Sequence, residues 1–395
     1  MATTAGRVLQ QGLAGTSVFT AIVVGGGVAG LSAAIGLSKR HSVKLLTGRA
    51  DSAAATYGRS LEATGLDPYI GLWTGGLECA EALCPGLLNE LEKHGRGCLV
   101  HLVLVEYTYG LFAYKTVFAQ CSGVTVHTTC GREVAGDLLV GADGRCSAVR
   151  TQMLSTGAGH DNTYPLQYRG YLVYRGVCPS ASPTQELHAS FQSWGGQCRF
   201  AAVPVKEGQS WFATVQGPPI AKDEALDDFE AAATGLMPAV MMLNATILNA
   251  SIFQCSCSYC RHRSSFPDTS LGRVILIGDA AYCLDPVLAQ GAGVALEDAL
   301  ELSTIMDTLD DDASDEVPGA LAFMAKRRRH RAHTLARLSN VSQWLAHLDP
   351  QGVRAGLRDM VMKGLPSAVT GRVFDAALKL SANRGCVEKA GPLGK

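Results

Sequence analysis

Val18-Phe-Thr-Ala-Ile-Val-Val-Gly25-Gly26-Gly27-Val28-Ala29-Gly30-Leu31-Ser-Ala-Ala34 is the stretch on which the reading of the fold turns. Val18 to Val24 is apolar and β-branched and runs into glycines, the pattern of a buried parallel strand. Leu31 to Lys39 has helical spacing through Ala33, Ala34 and Leu37, and Val43 to Leu46 reads as a second strand. Together they make a βαβ unit. Gly25 to Gly30 fits G-x-G-x-x-G at the strand-to-helix junction that this motif requires. Gly25 permits the tight turn, Gly27 lets a pyrophosphate approach the backbone, and Gly30 lets helix and strand pack closely. The helix that follows presents free N–H groups and a positive dipole end, which suit phosphate. A glycine turn without a ligand is the plainer alternative. The second strand leads to Thr47 rather than an acidic residue, so a ribose would meet one hydroxyl in place of a charged, bidentate acceptor.

Working outward, Gly71 to Leu91 looks mainly helical and Leu99 to Val105 strand-like. Val124 to Val126 and Glu133 to Val140 flank a hairpin turn at Cys130-Gly131. Tyr168 to Val177 and Phe200 to Thr214 suggest antiparallel strands. Val274 to Ile277 is another short buried strand, with a helix from about Gly291. Strands and helices alternate at both ends around a β-rich middle, which predicts an α/β nucleotide domain interrupted by a sheet domain. The expected division is a flexible leader at 1–17, a discontinuous nucleotide domain at 18–75, 120–165 and 266–340, a sheet domain at 76–119 and 166–265, and a helical tail at 341–395. The acidic run Asp307 to Glu316 reads as a solvated loop, with Pro318 starting the next helix. The basic run Lys326 to Arg331 reads as a solvated helix face, and Gly352 to Leu380 as an amphipathic tail.

Hydrophobic residues make up 47% and charged residues 17% of the 395, a globular composition. A net charge of -1 provides no field favouring nucleic acid or an anionic membrane. No apolar run reaches the roughly 18 residues of a transmembrane span. The 13 cysteines are scattered and odd in number, which suggests reduced thiols and a cytoplasmic location. Residues 1–17 lack acidic side chains and carry Arg7, a pattern shared by a short plastid-type leader and a plain flexible terminus. Cys255, Cys257, Cys260 and His262 have no second ligand pair at finger-like spacing, so they read as strand residues and no metal is expected.

Two further motifs follow. Asp137-Leu-Leu-Val-Gly-Ala-Asp143-Gly144-Arg-Cys-Ser147-Ala-Val149-Arg150 is one. Gly272-Arg273-Val-Ile-Leu-Ile-Gly278-Asp279-Ala280-Ala281 is the other, continuing through Leu284-Asp-Pro286-Val-Leu-Ala-Gln290-Gly291-Ala292-Gly293 to Glu297-Asp298-Ala299. Between them lie Tyr174-Arg175-Gly176 and Trp194-Gly195-Gly196-Gln-Cys-Arg199-Phe200. In this order, from Val18 to Ser339, the chain resembles the FAD-dependent group A monooxygenases, the family of salicylate hydroxylase-like enzymes, zeaxanthin epoxidases and urate hydroxylases.

The resemblance implies an α/β fold of the para-hydroxybenzoate hydroxylase kind. An FAD-binding Rossmann-like domain would be interrupted by an antiparallel-sheet substrate domain and followed by C-terminal helices. It implies FAD held by Gly25, Gly27, Val28, Ala29, Gly30, Asp143, Gly278, Asp279, Pro286, Gln290, Gly291, Ala292 and Gly293. NAD(P)H would be the reductant, and a flavin C4a-hydroperoxide would deliver one atom of O2 to a ring-containing small molecule. Asp279 would accept a ribityl hydroxyl, or it is an ordinary helix N-cap. The helix opening at Gly291 would stabilise negative charge on the flavin, with Pro286 stiffening the turn beside it. Asp143-Gly144 would lie near the pyrophosphate, or it is a type I′ hairpin turn. Arg175 and Arg199 are candidate substrate anchors, with a structural role as the alternative. No residue stands out as a catalytic base.

The family pattern is broken at Thr47 and at Tyr282, which stands where a histidine is usual. The segment from Gly71 to Val124 is roughly 40 residues short, and neither Arg59 nor Arg96 sits in an Arg-x-x-Leu frame. These departures leave two other functions open: a weakly active or non-catalytic flavin-binding homologue, and a flavin reductase or cyclase that inserts no oxygen.

Overall fold

The structure, a computed structural model, describes residues 8–11, 18–47, 69–94, 103–106, 114–120, 123–128, 131–155, 167–179, 191–195, 198–205, 208–217, 256–262, 268–348 and 352–364. The chain opens with β1 (Val8–Gln11), β2 (Thr20–Val24), α1 (Val28–Leu37) and β3 (Ser42–Leu46). Next come β4 (Tyr69–Leu72), α2 (Thr74–Leu83), α3 (Leu87–His94) and β5 (Val103–Glu106). A meander of β6 (Tyr114–Gln120), β7 (Gly123–Thr128) and β8 (Glu133–Gly136) leads into β9 (Leu138–Gly141) and α4 (Ala148–Ser155).

The antiparallel sheet uses β10 (Gln167–Pro179), β11 (Phe191–Gly195), β12 (Cys198–Val205), β13 (Gly208–Gln216) and β14 (Ser256–His262), in the order β11-β12-β13-β10-β14. The chain then forms β15 (Ser270–Leu271), β16 (Val274–Leu276), α5 (Asp279–Tyr282), α6 (Gly291–Met306), α7 (Val317–Ala346) and α8 (Val353–Gly364).

The central sheet has the order β1-β3-β2-β9-β16-β15, and its four inner strands run parallel. Side chains alternate across it, as a strand's two-residue period demands. Val23, Leu45, Leu138 and Ile275 pack on one side against Ala33 and Leu37 of α1, Leu83 of α2 and Ala299 and Leu302 of α6. Ile22, Leu139 and Leu276 pack on the other against Val126 of β7, Val149 of α4 and Leu335 of α7. Burial on both faces is why these strands read as continuous apolar runs. Among the described residues, no helix is long and apolar enough to cross a membrane.

Three local expectations are corrected. Val8–Gln11, inside the stretch expected to be a flexible leader, pairs antiparallel with β3 at the sheet edge. Glu133 to Val140 is two strands in different sheets. Between them Asp137 turns its carboxylate to the Thr20 N–H at 2.6 Å, so a polar contact divides an apolar run. The basic run is not a solvated face. Arg328 and Arg331 are 3% and 4% exposed and pair with Glu297 and Asp298 of α6, because a three-residue step along α7 turns both inward.

Candidate functional site

Gly25, Thr47, Ala142 and Gly278 each follow the carboxyl end of a parallel strand, or lie two residues beyond it, on β2, β3, β9 and β16 respectively. The crevice outside those ends is where an open α/β sheet takes its ligand. The three motifs touch there. Gly25 has φ +126°, and a Cβ on it would lie 2.1 Å from the Ala142 carbonyl oxygen. A Cβ on Gly30 would lie 1.9 Å from the Gly25 oxygen. Gly278, at φ +58°, is pressed against Ala29, whose Cβ would be 2.8 Å from its own. Glycine is required at Gly25 and Gly30 to let backbone meet backbone, and at Gly278 to make room for the Ala29 side chain. Val28 opens α1 behind Gly27, Ala292 lies in the first turn of α6 behind Gln290, and no side chain among the described residues caps either helix. Their first N–H groups are therefore available to a ligand.

Asp143 is neither a hairpin residue nor an acceptor with a free carboxylate. It accepts the N–H of Ala148 at 2.8 Å and of Val149 at 3.2 Å, and the Ser147 hydroxyl, and so starts α4. From that helix Arg150, 5% exposed, donates to the carbonyls of Ala280 and Arg145, both at 2.7 Å, and ties the second motif to the third. Burial lowers the Arg150 pKa, opposed first by Asp143. The sequence offered no sign of this role, because an arginine in a helix usually reads as surface.

Asp279 is not the N-cap of α5; Gly278 holds that place. Its carboxylate faces the start of α6, with Oδ1 3.8 Å from where a Cβ on Gly291 would stand. Water reaches Asp279, yet crowding by surrounding protein raises its pKa, against Arg145 and Arg150. Gln290, 5% exposed, has a buried amide nitrogen with no hydrogen-bond partner among the described residues. Such an orphaned donor is uncommon in a folded protein. Together with the backbone cradle at Gly25, Gly30 and Gly278, it fits an extended dinucleotide with a polar ring edge at its far end.

The turn Pro286–Leu288 is held from three sides. Asp285 accepts the Val287 N–H at 3.0 Å, and itself receives Tyr171 Oη and, at 3.3 Å, Arg169 Nε. Arg199 donates to the Val287 carbonyl at 2.7 Å, and Trp73 Nε1 to the Leu288 carbonyl at 3.0 Å. Arg199 is buried, and burial lowers its pKa to about 10, opposed by Tyr171 and Asp285. One of its contacts is thus to the main chain of the turn, and another is with the Phe212 ring. The backbone of Arg175 lies between Phe212 and Ser256, while its side chain lies outside the described residues. Tyr282 turns into the core, its hydroxyl 3.4 Å from Thr269 Oγ1, and burial pushes its pKa up. Asp285 was missed, although a short acidic residue ahead of proline at N1 is a capping signal.

The FAD binding domain family matches residues 116–337, more than half of the chain. Aurachin C monooxygenase/isomerase of Stigmatella aurantiaca is 34% identical over 233 residues, which span 56% of this chain and 56% of that protein. 3-Hydroxybenzoate 6-hydroxylase 1 of Aquipseudomonas alcaligenes is 25% identical over 393 residues, covering 87% and 93%. The chain thus spans about half the length of the first of these relatives and nearly all of the second. The structure of Klebsiella pneumoniae HpxO complexed with FAD and uric acid superimposes with a TM-score of 0.75 at 21% identity, covering 93% and 98%. The salicylate hydroxylase substrate complex gives 0.67 at 20% identity, covering 94% and 98%. On the family match and the convergence of its three motifs, the chain belongs to the FAD binding domain family, with the fold of the FAD-dependent hydroxylases and FAD as its cofactor.

Proposed function

We propose that the protein is an NAD(P)H-driven monooxygenase that places one oxygen atom of O2 on a ring-containing small molecule. The meeting of Gly25 with Ala142, and of Ala29 with Gly278, at the carboxyl ends of one parallel sheet carries this reading. FAD bound there supplies electron acceptance from NAD(P)H and activation of O2.

The chain's own residues would bind and orient. Gly25, Gly27, Val28, Ala29 and Gly30 would present the α1 terminus to the pyrophosphate. Asp143 would keep the neighbouring loop in place through its cap on α4. Asp279 would accept a ribityl hydroxyl. The Gln290 amide and the N–H groups of Gly291, Ala292 and Gly293 would stabilise negative charge on the ring system. The Pro286 turn would stay rigid through Asp285, Arg199 and Trp73.

Tyr171, Val173, Arg199 and Thr214 share one face of the antiparallel sheet by register, and they are buried on the side of that turn. They would wall the ring substrate off from water. The names of the hydroxybenzoate relative and the uric acid complex support a ring substrate. Cys79, Cys84, Cys146 and Cys283 are free thiols, in keeping with a cytoplasmic setting.

The test begins with a visible absorption spectrum of purified protein after desalting, where a retained flavin band is expected. NAD(P)H oxidation is then followed with candidate ring compounds, and products are weighed. Stimulated oxidation with a gain of one oxygen atom supports the proposal. Oxidation without mass gain would make the protein a reductase or cyclase, and no oxidation with any ring compound would leave a flavin-binding protein.

A further inference from the structure

Behind the cofactor cleft, α6 and α7 enclose a cluster of six ions that the proposed chemistry does not use. Arg328 lies with Nη2 2.9 Å from Glu297, Nη1 3.8 Å from Glu301, and Nε bonded to Asp298. Arg331 reaches Glu297 through Nε at 3.0 Å and Nη2 at 2.8 Å, and Arg327 Nε lies 2.7 Å from Glu301. Charges balance three against three. Arg327 lies at the rim and the other five are buried or nearly so. Burying such charges is a poor way to stabilise a helix pair, because desolvation offsets most of the Coulomb attraction. What the cluster holds is therefore more informative than what it contributes to stability.

One contact leaves the cluster toward the cleft. Asp298, fully buried, accepts the N–H of Gly278 at 2.8 Å. Gly278 is the point where the third motif bends after β16, at φ +58° and squeezed between Ala29 and Ala295. Its N–H is buried and would otherwise lack an acceptor, which a folded protein rarely tolerates. The peptide that follows carries Asp279.

We infer that Asp298 is a positioning residue for the cofactor: it fixes the Gly278 bend that presents Asp279, with Arg328 balancing its charge. The inference rests on the FAD site described above. Asp298 does not touch the cofactor; it acts through Gly278. Glu301 belongs to the same cluster through Arg327 and Arg328, and so serves as the comparison.

The experiment measures FAD affinity by quenching of flavin fluorescence, and thermal stability, on the full chain. The variants are Asp279→Ala, Asp298→Asn, their double, Glu301→Gln and Arg328→Lys. Asp298→Asn is expected to weaken FAD about tenfold, the size of one charge-assisted hydrogen bond. The double variant should bind FAD no worse than about twofold below Asp279→Ala alone, because both act through one contact. Glu301→Gln should lower stability and leave FAD affinity in place. Multiplying losses in the double variant would overturn the inference, as would an Asp298→Asn protein with reduced stability and unaltered FAD affinity. Should Asp298→Asn not fold, Arg328→Lys decides: a smaller but measurable loss of FAD affinity supports the inference, and none refutes it. If Asp279→Ala itself leaves FAD affinity unchanged, the cofactor reading fails and takes this inference with it.

Discussion

Arg150 Nη1 lies 2.7 Å from the carbonyl oxygen of Ala280, joining two residues 130 positions apart in the chain. This contact and its companion to Arg145 hold the loop after β9 against the loop after β16. Arg150→Met removes both donors and leaves two carbonyls unmatched in a buried place, and should lower stability by about 2–3 kcal/mol in urea denaturation. Arg150→Lys should recover part of the loss. A methionine variant within about 0.5 kcal/mol of the parent, the range of an ordinary surface change, would show that the staple is dispensable.

Two glycines with left-handed backbones should differ in their tolerance of alanine. Gly131, at φ +80° in the β7–β8 turn, has open space around it. Gly131→Ala should cost about 1 kcal/mol, from backbone strain alone. Gly278→Ala adds a collision with Ala29 to the same strain, so about 2–4 kcal/mol and a loss of flavin binding are expected. Equal melting temperatures for the two variants would contradict the close approach.

Ala289 is the one non-glycine residue among those described with a left-handed backbone, at φ 51°. It links the Pro286 turn to α6, where the backbone must reverse before the helix begins. Ala289→Gly removes strain of about 1–2 kcal/mol in the folded state. It also frees the unfolded chain by about 0.5–1 kcal/mol. A net gain of up to about 1 kcal/mol is expected, read as a small rise in Tm. A clear fall in Tm would mean the left-handed turn carries no strain.

His347, at the end of α7, stacks on Tyr171 with ring centroids 5.2 Å apart. Its Nδ1 lies 2.9 Å from the Gln343 carbonyl and its Nε2 3.1 Å from Thr214 Oγ1. With Nδ1 donating to Gln343, the neutral ring leaves Nε2 to accept from Thr214. Burial lowers its pKa, so protons bind the unfolded chain first as the pH falls. The stability it contributes is present above about pH 6.5, the ordinary histidine value, and is lost progressively below it. Parent and His347→Gln proteins compared by denaturation from pH 7.5 to 5 should differ in slope, the parent being the more acid-sensitive. Parallel slopes would remove His347 from the account.

The glycine turn, the short parallel strands and the helix from Gly291 were readable from sequence because each follows from a local necessity. Backbone must approach backbone at Gly25 and Gly30, and a strand buried on both faces must be apolar throughout. Arg150, Asp285 and Asp298 were not readable as site residues, because a charged side chain is buried only where distant partners neutralise it. Those partners are the loops after β9 and β16, the strands β10 and β12, and helix α7. The basic run of α7 misled for the same reason: consecutive cations resemble a solvated face until Glu297 and Asp298 are known to lie opposite. Asp143-Gly144 reads from sequence as a cofactor contact or a hairpin turn; the fold rules out the hairpin, and the carboxylate starts a helix whose arginine crosses to the third motif.

The contact of Gly25 with Ala142, and of Ala29 with Gly278, closes the crevice from segments that emerge from the ribosome far apart in time. A nascent chain ending before residue 278 has the first glycine turn but not the wall that faces it. Flavin loading must therefore wait until the last of these segments has docked, and such long-range closure is slow. Without flavin the folded polypeptide would keep these contacts but lack the ligand's contribution to stability.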